Sequence, residues 1–382
     1  MTYKHLFQRS LAAAPDRLHF AAHSHHLWPD ASWLGHQAAW QDAARLADRK
    51  WGRVMDEIWP AAQTNVAAEL NLPDPSSIVF AGNTHDLILR IVSARSGHPV
   101  RVLTSDGEFH SFRRQSERWL ESGRVTLDRI PAGDDFDARF LAAARTGSHD
   151  LIFISQVMFG TGAIFAALPE LATLARPDGP WVVVDGYHGF MAMETDLSAI
   201  AANIFYTAGG YKYAMSGEGA AFLHCPPGYG PRPEITGWYV EFADLEAPPG
   251  RIGYATDARR FMGSTFDPSG LYRFVAVRDM LAEQGLTTAA INAHIAPLRE
   301  QLLAGLATTP LADATLLNPG TDPRARFLAF RSPTAAAWKA ALNQQDIVTD
   351  VRGDVLRIGF GLYHDERDVN RLLAVLHDLR DA

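Results

Sequence analysis

The chain predicts an α/β fold on a mainly parallel sheet, and three observations carry that expectation. From about residue 77, short β-rich runs alternate with amphipathic stretches. The runs are apolar with little alternation, the pattern of strands covered on both faces. The amphipathic stretches fall between consecutive runs, where parallel strands need helical crossovers.

The first 60 residues carry two helical patterns, around 31–49 and 51–70. The alternation then runs SIVFAG (77–82) before NTHDLILRIVSA, and VRVLTS (100–105) before SFRRQSERWLES. DLIFIS (150–155) precedes LPELATLA, and WVVVD (181–185), NIFYTA (203–208) and AAFLHC (220–225) complete the series. The stretch 226–267, rich in proline and glycine, reads as a long loop region. A helix-rich pattern begins at PSGLYRFVAVRDMLAEQG. RFLAFRS, a short helix around Trp338, DIVTDVRG, VLRIGFG and a last helix from about Asp365 follow as a smaller α+β unit. The expected division is 1–60 packing beside the small domain, 61–267 as the large domain and 268–382 as the small C-terminal domain.

Composition narrows the function classes. With 382 residues, 47% apolar and 20% charged, the chain can bury a large core. A net charge of −8 without a Lys/Arg block argues against nucleic acid or an anionic membrane as main partner. No run of about 18 apolar residues exists, and MTYKHLFQRSLAAAPDR lacks a secretory apolar core, so the expected compartment is the cytoplasm. One cysteine, Cys225, excludes an intrachain disulfide or a Cys-based metal cluster.

Lysine is scarce: Lys4, Lys50, Lys212 and Lys339 are the only four among 35 basic residues. Lys212 stands in the glycine-rich link YTAGGYKYAMSGEG between two apolar runs. An amine that must shed its proton to form a Schiff base has to be lysine, since arginine does not deprotonate in proteins. In a parallel sheet, ligands sit at the carboxyl ends of strands. Four such ends carry, in order, Asn83-Thr84 at a helix start, Phe109-His110, Asp185 with His188, and Lys212. A helix start with a hydroxyl is a phosphate cup, an aromatic can stack on a ring, and a carboxylate can hold a pyridine nitrogen protonated. Each alone reads equally well as a helix cap, a core aromatic or a satisfied polar residue.

In that order, the motifs GNTHDLILRI, GEFHSF, ISQVMFGTGAIF, VVVDGYHG, YTAGGYKYAMSGEGAAF, ITGWYV, RRFMGSTFDPSGLY and VLRIGFGLYHDERDV resemble the fold-type-I pyridoxal-phosphate enzymes of the class V aminotransferase family. Within it they look most like kynureninase. The resemblance implies a seven-stranded-type sheet in the large domain and pyridoxal 5′-phosphate on Lys212. It places Asp185 on the pyridine nitrogen with His188 in support, Phe109 on the ring with His110 as runner-up, and Asn83, Thr84 and Tyr211 at the phosphate. It further implies a homodimer whose active sites lie at the subunit interface, with Trp238 and Thr265 completing the phosphate site of the other subunit. Arg357 takes the place of the clamp for the substrate carboxylate. The substrate is then an amino acid and the reaction a kynureninase-like hydrolytic Cβ–Cγ cleavage. An aminotransferase, a β-lyase or a non-catalytic binding protein of the same fold are the alternatives.

Two segments depart from kynureninase. Phe112 stands where that family has an aspartate, and AAHSHHLW (21–28) replaces an Asp-Gly-Asn-Ser-Leu-Gly-like segment, which puts His25 and Phe112 on the substrate side. His23, His25 and His26 lack a helical i,i+4 pair and acidic neighbours, so no metal is expected. GTGAIF (160–165) lacks the third glycine of a dinucleotide fingerprint, and Cys225 reads as a buried small hydrophobe at a strand end.

Overall fold

The computed structural model describes residues 2–244, 250, 252–320 and 325–379. A seven-stranded sheet forms its centre, from β1 (Ile78–Ala81), β2 (Val100–Ser105), β3 (Val125–Ile130), β4 (Leu151–Ser155), β5 (Trp181–Asp185), β6 (Ile204–Ala208) and β7 (Ala221–His224). Their order is β3-β2-β4-β5-β6-β7-β1, and every pair is parallel except the two made by β7. Every residue of β4 and β6 is buried, as the unalternated apolar runs require.

Helices α1 (Asp30–Leu46) and α2 (Trp59–Leu70) precede the sheet, and the crossovers α3 (Thr84–Ser93), α4 (His110–Glu121) and α5 (Phe136–Thr146) follow β1, β2 and β3. Sequence pattern alone had left out β3 and α5. The reason is physical: β3 is the sheet edge, and VTLDRI places only Val125 among the buried residues, so it lacks the apolar signature of its neighbours.

The C-terminal part holds α6 (Ser269–Glu283), α7 (Thr288–Gly305), α8 (Ala335–Gln344) and α9 (Glu366–Asp378) around an antiparallel sheet. That sheet comprises β8 (Thr315–Leu316), β9 (Phe327–Arg331), β10 (Asp350–Arg352) and β11 (Val355–Gly359), ordered β10-β11-β9-β8. Asp365 caps α9 in a reciprocal box with Asp368, and Lys4 reaches both carboxylates at 2.9 and 2.8 Å. Leu18–His19 pairs in parallel with Ile347–Val348, and Ala21 bridges Gly359. The N-terminal segment is thereby laid over the small sheet and delivers His23 to its interior. Helix α1 crosses α6 so closely that a Cβ on Gly35 would lie 2.6 Å from the Tyr272 carbonyl. Between 226 and 267 only two short 3-10 turns, Trp238–Asp244 and Ala258–Phe261, interrupt the loop among the described residues.

Candidate active site

Lys212 sits four residues beyond β6 in a turn that glycine makes possible. A Cβ on Gly209 would meet the Tyr187 hydroxyl at 2.4 Å, and one on Gly210 the Ser216 hydroxyl at 2.3 Å. The Ser216 N–H donates to the Gly210 carbonyl and the Met215 N–H to that of Lys212, at 2.9 and 3.0 Å. The lysine is held inward and only 5% exposed. Its Nζ lies 2.9 Å from His188 Nε2, and 4.7, 5.6 and 5.7 Å from the rings of Tyr187, Phe109 and Tyr211. Burial draws the amine pKa down to about 7, with the Asp185 carboxylate opposing the shift and the Arg357 cation adding to it. A neutral, nucleophilic amine is therefore present near neutral pH.

Asp185 is the last residue of β5 and accepts the Tyr187 N–H at 2.9 Å while keeping part of its surface open. Its register partner on β4 is Ser155 and on β6 is Thr207. His188 is buried, and burial, with the charges of Lys212 and Arg357 behind it, keeps the imidazole neutral. Gly186 and Gly189 let this turn pass between Tyr206 and Gln156, whose side chains share a 2.8 Å hydrogen bond.

Helix α3 opens onto the same space. Asn83 is its N-cap, accepting the Asp86 N–H at 2.9 Å, and Thr84 is its first residue. Asn83, Thr84, Phe109, His110, Tyr187 and Tyr211 line one cleft of ≈ 1010 Å³. Phe109 and His110 brace edge-on against Phe159 at 5.5 and 5.1 Å. The donor set fits a phosphorylated pyridine aldehyde: an amine at its reactive pKa, a carboxylate at a strand end, aromatic walls and free helix N-terminal amides.

Not every expected residue reaches this cleft. Phe112 is a correction: it is 3% exposed and stacks face to face on Phe153 of β4 at 3.6 Å, because its place on the first turn of α4 turns it toward the sheet. His25 stacks on Tyr211 at 4.9 Å and remains exposed at the mouth. The three histidines diverge, His23 onto Phe327 and His26 onto Tyr363. Arg357 is 2% exposed and bonds to Asp350 and the Phe159 carbonyl. Trp238 and Thr265 share a 3.3 Å hydrogen bond outside the cleft lining. Cys225 is buried with its thiol pushed up to about 12, 2.8 Å from the Arg260 guanidinium.

Two residues escaped the sequence reading. Tyr187, between Asp185 and His188, is the aromatic whose centroid is nearest the amine among those given above, and its signal was an aromatic inside a strand-end D-x-x-H. Glu108 is wholly buried and accepts the hydroxyls of Ser105 and Ser155 at 2.6 and 2.5 Å. Burial raises its pKa to about 7, the two hydroxyls pulling it back and Asp185 pushing it up. It precedes Phe109 directly, the only cue available.

A family model, aminotransferase class-V, matches residues 43–372. The isopenicillin N epimerase of Streptomyces clavuligerus is 30% identical over 344 residues, covering 84% of each chain. A probable cysteine desulfurase of Vibrio cholerae is 27% identical over 84% of this chain and 82% of its own. Among solved structures, C-DES superposes with a TM-score of 0.84 at 20% identity over 99% of this chain and 100% of its own, in a mutant with glycine covalently linked to its PLP cofactor. The same protein, in complex with cysteine persulfide, is described as a cystine C-S lyase. These relatives overturn the expected kynureninase-like hydrolysis: the chain sides with an epimerase and with enzymes of carbon–sulfur chemistry, and the Phe112 position read as substrate-facing is core.

Proposed function

This chain belongs to the class-V aminotransferase family, and on that premise we propose that it is a β-lyase that removes the Cα proton of an α-amino acid and expels a sulfur substituent from Cβ. Its cofactor is pyridoxal 5′-phosphate, joined to Lys212 as a Schiff base. The observation that carries this reading is the Lys212 amine, 5% exposed, with its pKa at about 7 and His188 at 2.9 Å. When bound, the cofactor supplies an electron sink for the pair left at Cα.

The chain's own residues do the rest. Lys212 takes the Cα proton, Asp185 keeps the pyridine nitrogen protonated, and His188 orients the groups between them. Thr84, Tyr211 and the first amides of α3 hold the phosphate, Asn83 fixing that helix end as its cap. Phe109 and His110 cover one face of the ring. Arg357 seats the substrate carboxylate. In a homodimer, Trp238 and Thr265 complete the phosphate site of the other subunit. The exposed Trp33, Trp40 and Trp238 give such an interface apolar area to bury.

Cys225, the only cysteine, is shut in the core with a thiol that stays protonated, so it cannot take sulfur from a substrate. Expelled sulfur leaves on the substrate fragment instead. For L-cystine the balance is one water consumed, with cysteine persulfide, pyruvate and ammonia released. The test is holoenzyme with L-cystine in D₂O, followed for pyruvate and for deuterium at Cα. Pyruvate with a released persulfide supports the lyase. A second reading, epimerisation, is favoured by the 30% identity to an epimerase; deuterium at an inverted Cα without pyruvate would establish it. Absence of both pyruvate and Cα exchange with every α-amino acid tried would defeat both.

A further inference from the structure

We propose that Asp350 is a specificity-determining residue, a resident carboxylate that occupies the Arg357 guanidinium and yields it only to a substrate carboxylate, Arg352 and His23 then receiving it. The inference rests on the reading above, in which Arg357 seats the α-carboxylate.

The hairpin dictates the contact. Arg352 pairs with Val355 across the two-residue turn Gly353-Asp354, Gly353 adopting a φ of +58°, which places Asp350 directly opposite Arg357. Asp350 Oδ2 takes one amino group of Arg357, and the other goes to the Phe159 carbonyl. Both amino groups of the clamp are thus already engaged, only Nε being without a partner, and the side chain is 2% exposed. The second oxygen, Asp350 Oδ1, accepts Arg352 Nη1 at 2.7 Å. Two guanidinium cations share one carboxylate, so the array carries an excess positive charge that one more carboxylate neutralises.

His23 supplies the other half. It is wholly buried, neither ring nitrogen makes a hydrogen bond, and Nε2 faces Asp350 Oδ2 at 3.6 Å. An unbonded imidazole in the core costs stability, and Asp350 Oδ2 is the acceptor it could reach. When Arg357 turns to the substrate, Asp350 keeps Arg352 and gains the His23 N–H, so its carboxylate stays paired in both states. The array abuts the reacting lysine: the Phe327 ring lies 4.8 Å from His23, 5.7 Å from Arg357 and 5.8 Å from His188, which holds Lys212. A tethered carboxylate competes at an effective concentration of roughly millimolar or more. Simple carboxylates therefore lose to it, whereas an amino acid held through its amine at the cofactor, in place of Lys212, competes on equal terms.

The test uses holoenzyme and acetate, with affinity read from the rise of Tm on titration. Asp350→Asn is expected to bind acetate about 10-fold tighter and to lower KM for the amino-acid substrate more than it changes kcat. Arg352→Ala, on a half-exposed side chain, is expected to do the reverse by about 3-fold, since Asp350 is left to Arg357 alone. The double variant should match Asp350→Asn, as Arg352 acts through Asp350. Arg357→Ala should abolish the acetate effect. A folded Asp350→Asn that binds acetate no tighter overturns the proposal, as does an acetate effect surviving in Arg357→Ala. If Asp350→Asn does not fold, unchanged acetate affinity and KM in Arg352→Ala overturn it equally. The acetate readout needs no turnover, so its failure with intact Cα exchange sinks only this proposal, and lost Cα exchange with the acetate pattern intact sinks only the lyase reading.

Discussion

The lysine site and the arginine cluster sit side by side and are built by opposite logic. Asp185 ends β5, His188 follows it by three residues and Lys212 follows the neighbouring parallel strand β6 by four, and any sheet of this order brings such ends together. Asp350, Arg357 and His23 come from an antiparallel hairpin and from a segment more than 300 residues earlier in the chain. The first site holds a base whose charge has been suppressed by burial. The second holds charges matched against each other. The comparison teaches that a reactive amine is made by burial that outweighs the carboxylates near it, and a binding cation by supplying a counterion that can be displaced.

The sharpest way to break that contrast is Lys212→Ala. Cα-proton exchange in the holoenzyme should fall by roughly 10³-fold or more, while the Asp350–Arg357 cluster and its response to acetate persist. Next in size is Phe112→Ala. As a core residue stacked on Phe153 it should cost about 3 kcal/mol of stability, read from denaturant unfolding, with KM unchanged; a KM effect without a stability loss would return Phe112 to the substrate side. A pH series on apoprotein sharpens the account of the amine. Capture of pyridoxal phosphate needs the neutral amine, so its rate should rise with pH up to about 7 and level off above it. An ordinary lysine would keep rising toward 10.5. The smallest effect is expected of Cys225→Ala, which should leave turnover within about 3-fold because a buried, protonated thiol takes no part.

Much of the fold was legible because burial on both faces writes itself as unbroken apolar runs: VRVLTS and WVVVD coincide with β2 and β5 residue for residue. The edge strand β3 was not, since only Val125 of its six residues is buried and VTLDRI lacks an unbroken apolar run. At the site, Asp185, His188 and Lys212 were legible from strand ends, and the structure brings them together. Phe112 was misplaced because a one-residue step on a helix turns a side chain by about 100°, from cleft to core. Asp350 was hidden for a different reason. Its partner is set by hairpin register, and the cue, Gly353-Asp354 between DVR and VLR, becomes informative only once both strands are known to pair. His23 had no local cue, because its place depends on Leu18–His19 and Ala21 joining distant strands.

The central claim is that Lys212, alone among the four lysines, carries the cofactor. Borohydride reduction of the coloured holoenzyme followed by peptide mass mapping tests it most directly. The account predicts a single pyridoxyl adduct on the peptide containing Lys212 and no pyridoxyl adduct on any peptide of the Lys212→Ala protein. An adduct on Lys4, Lys50 or Lys339, or undiminished labelling in the variant, would contradict it.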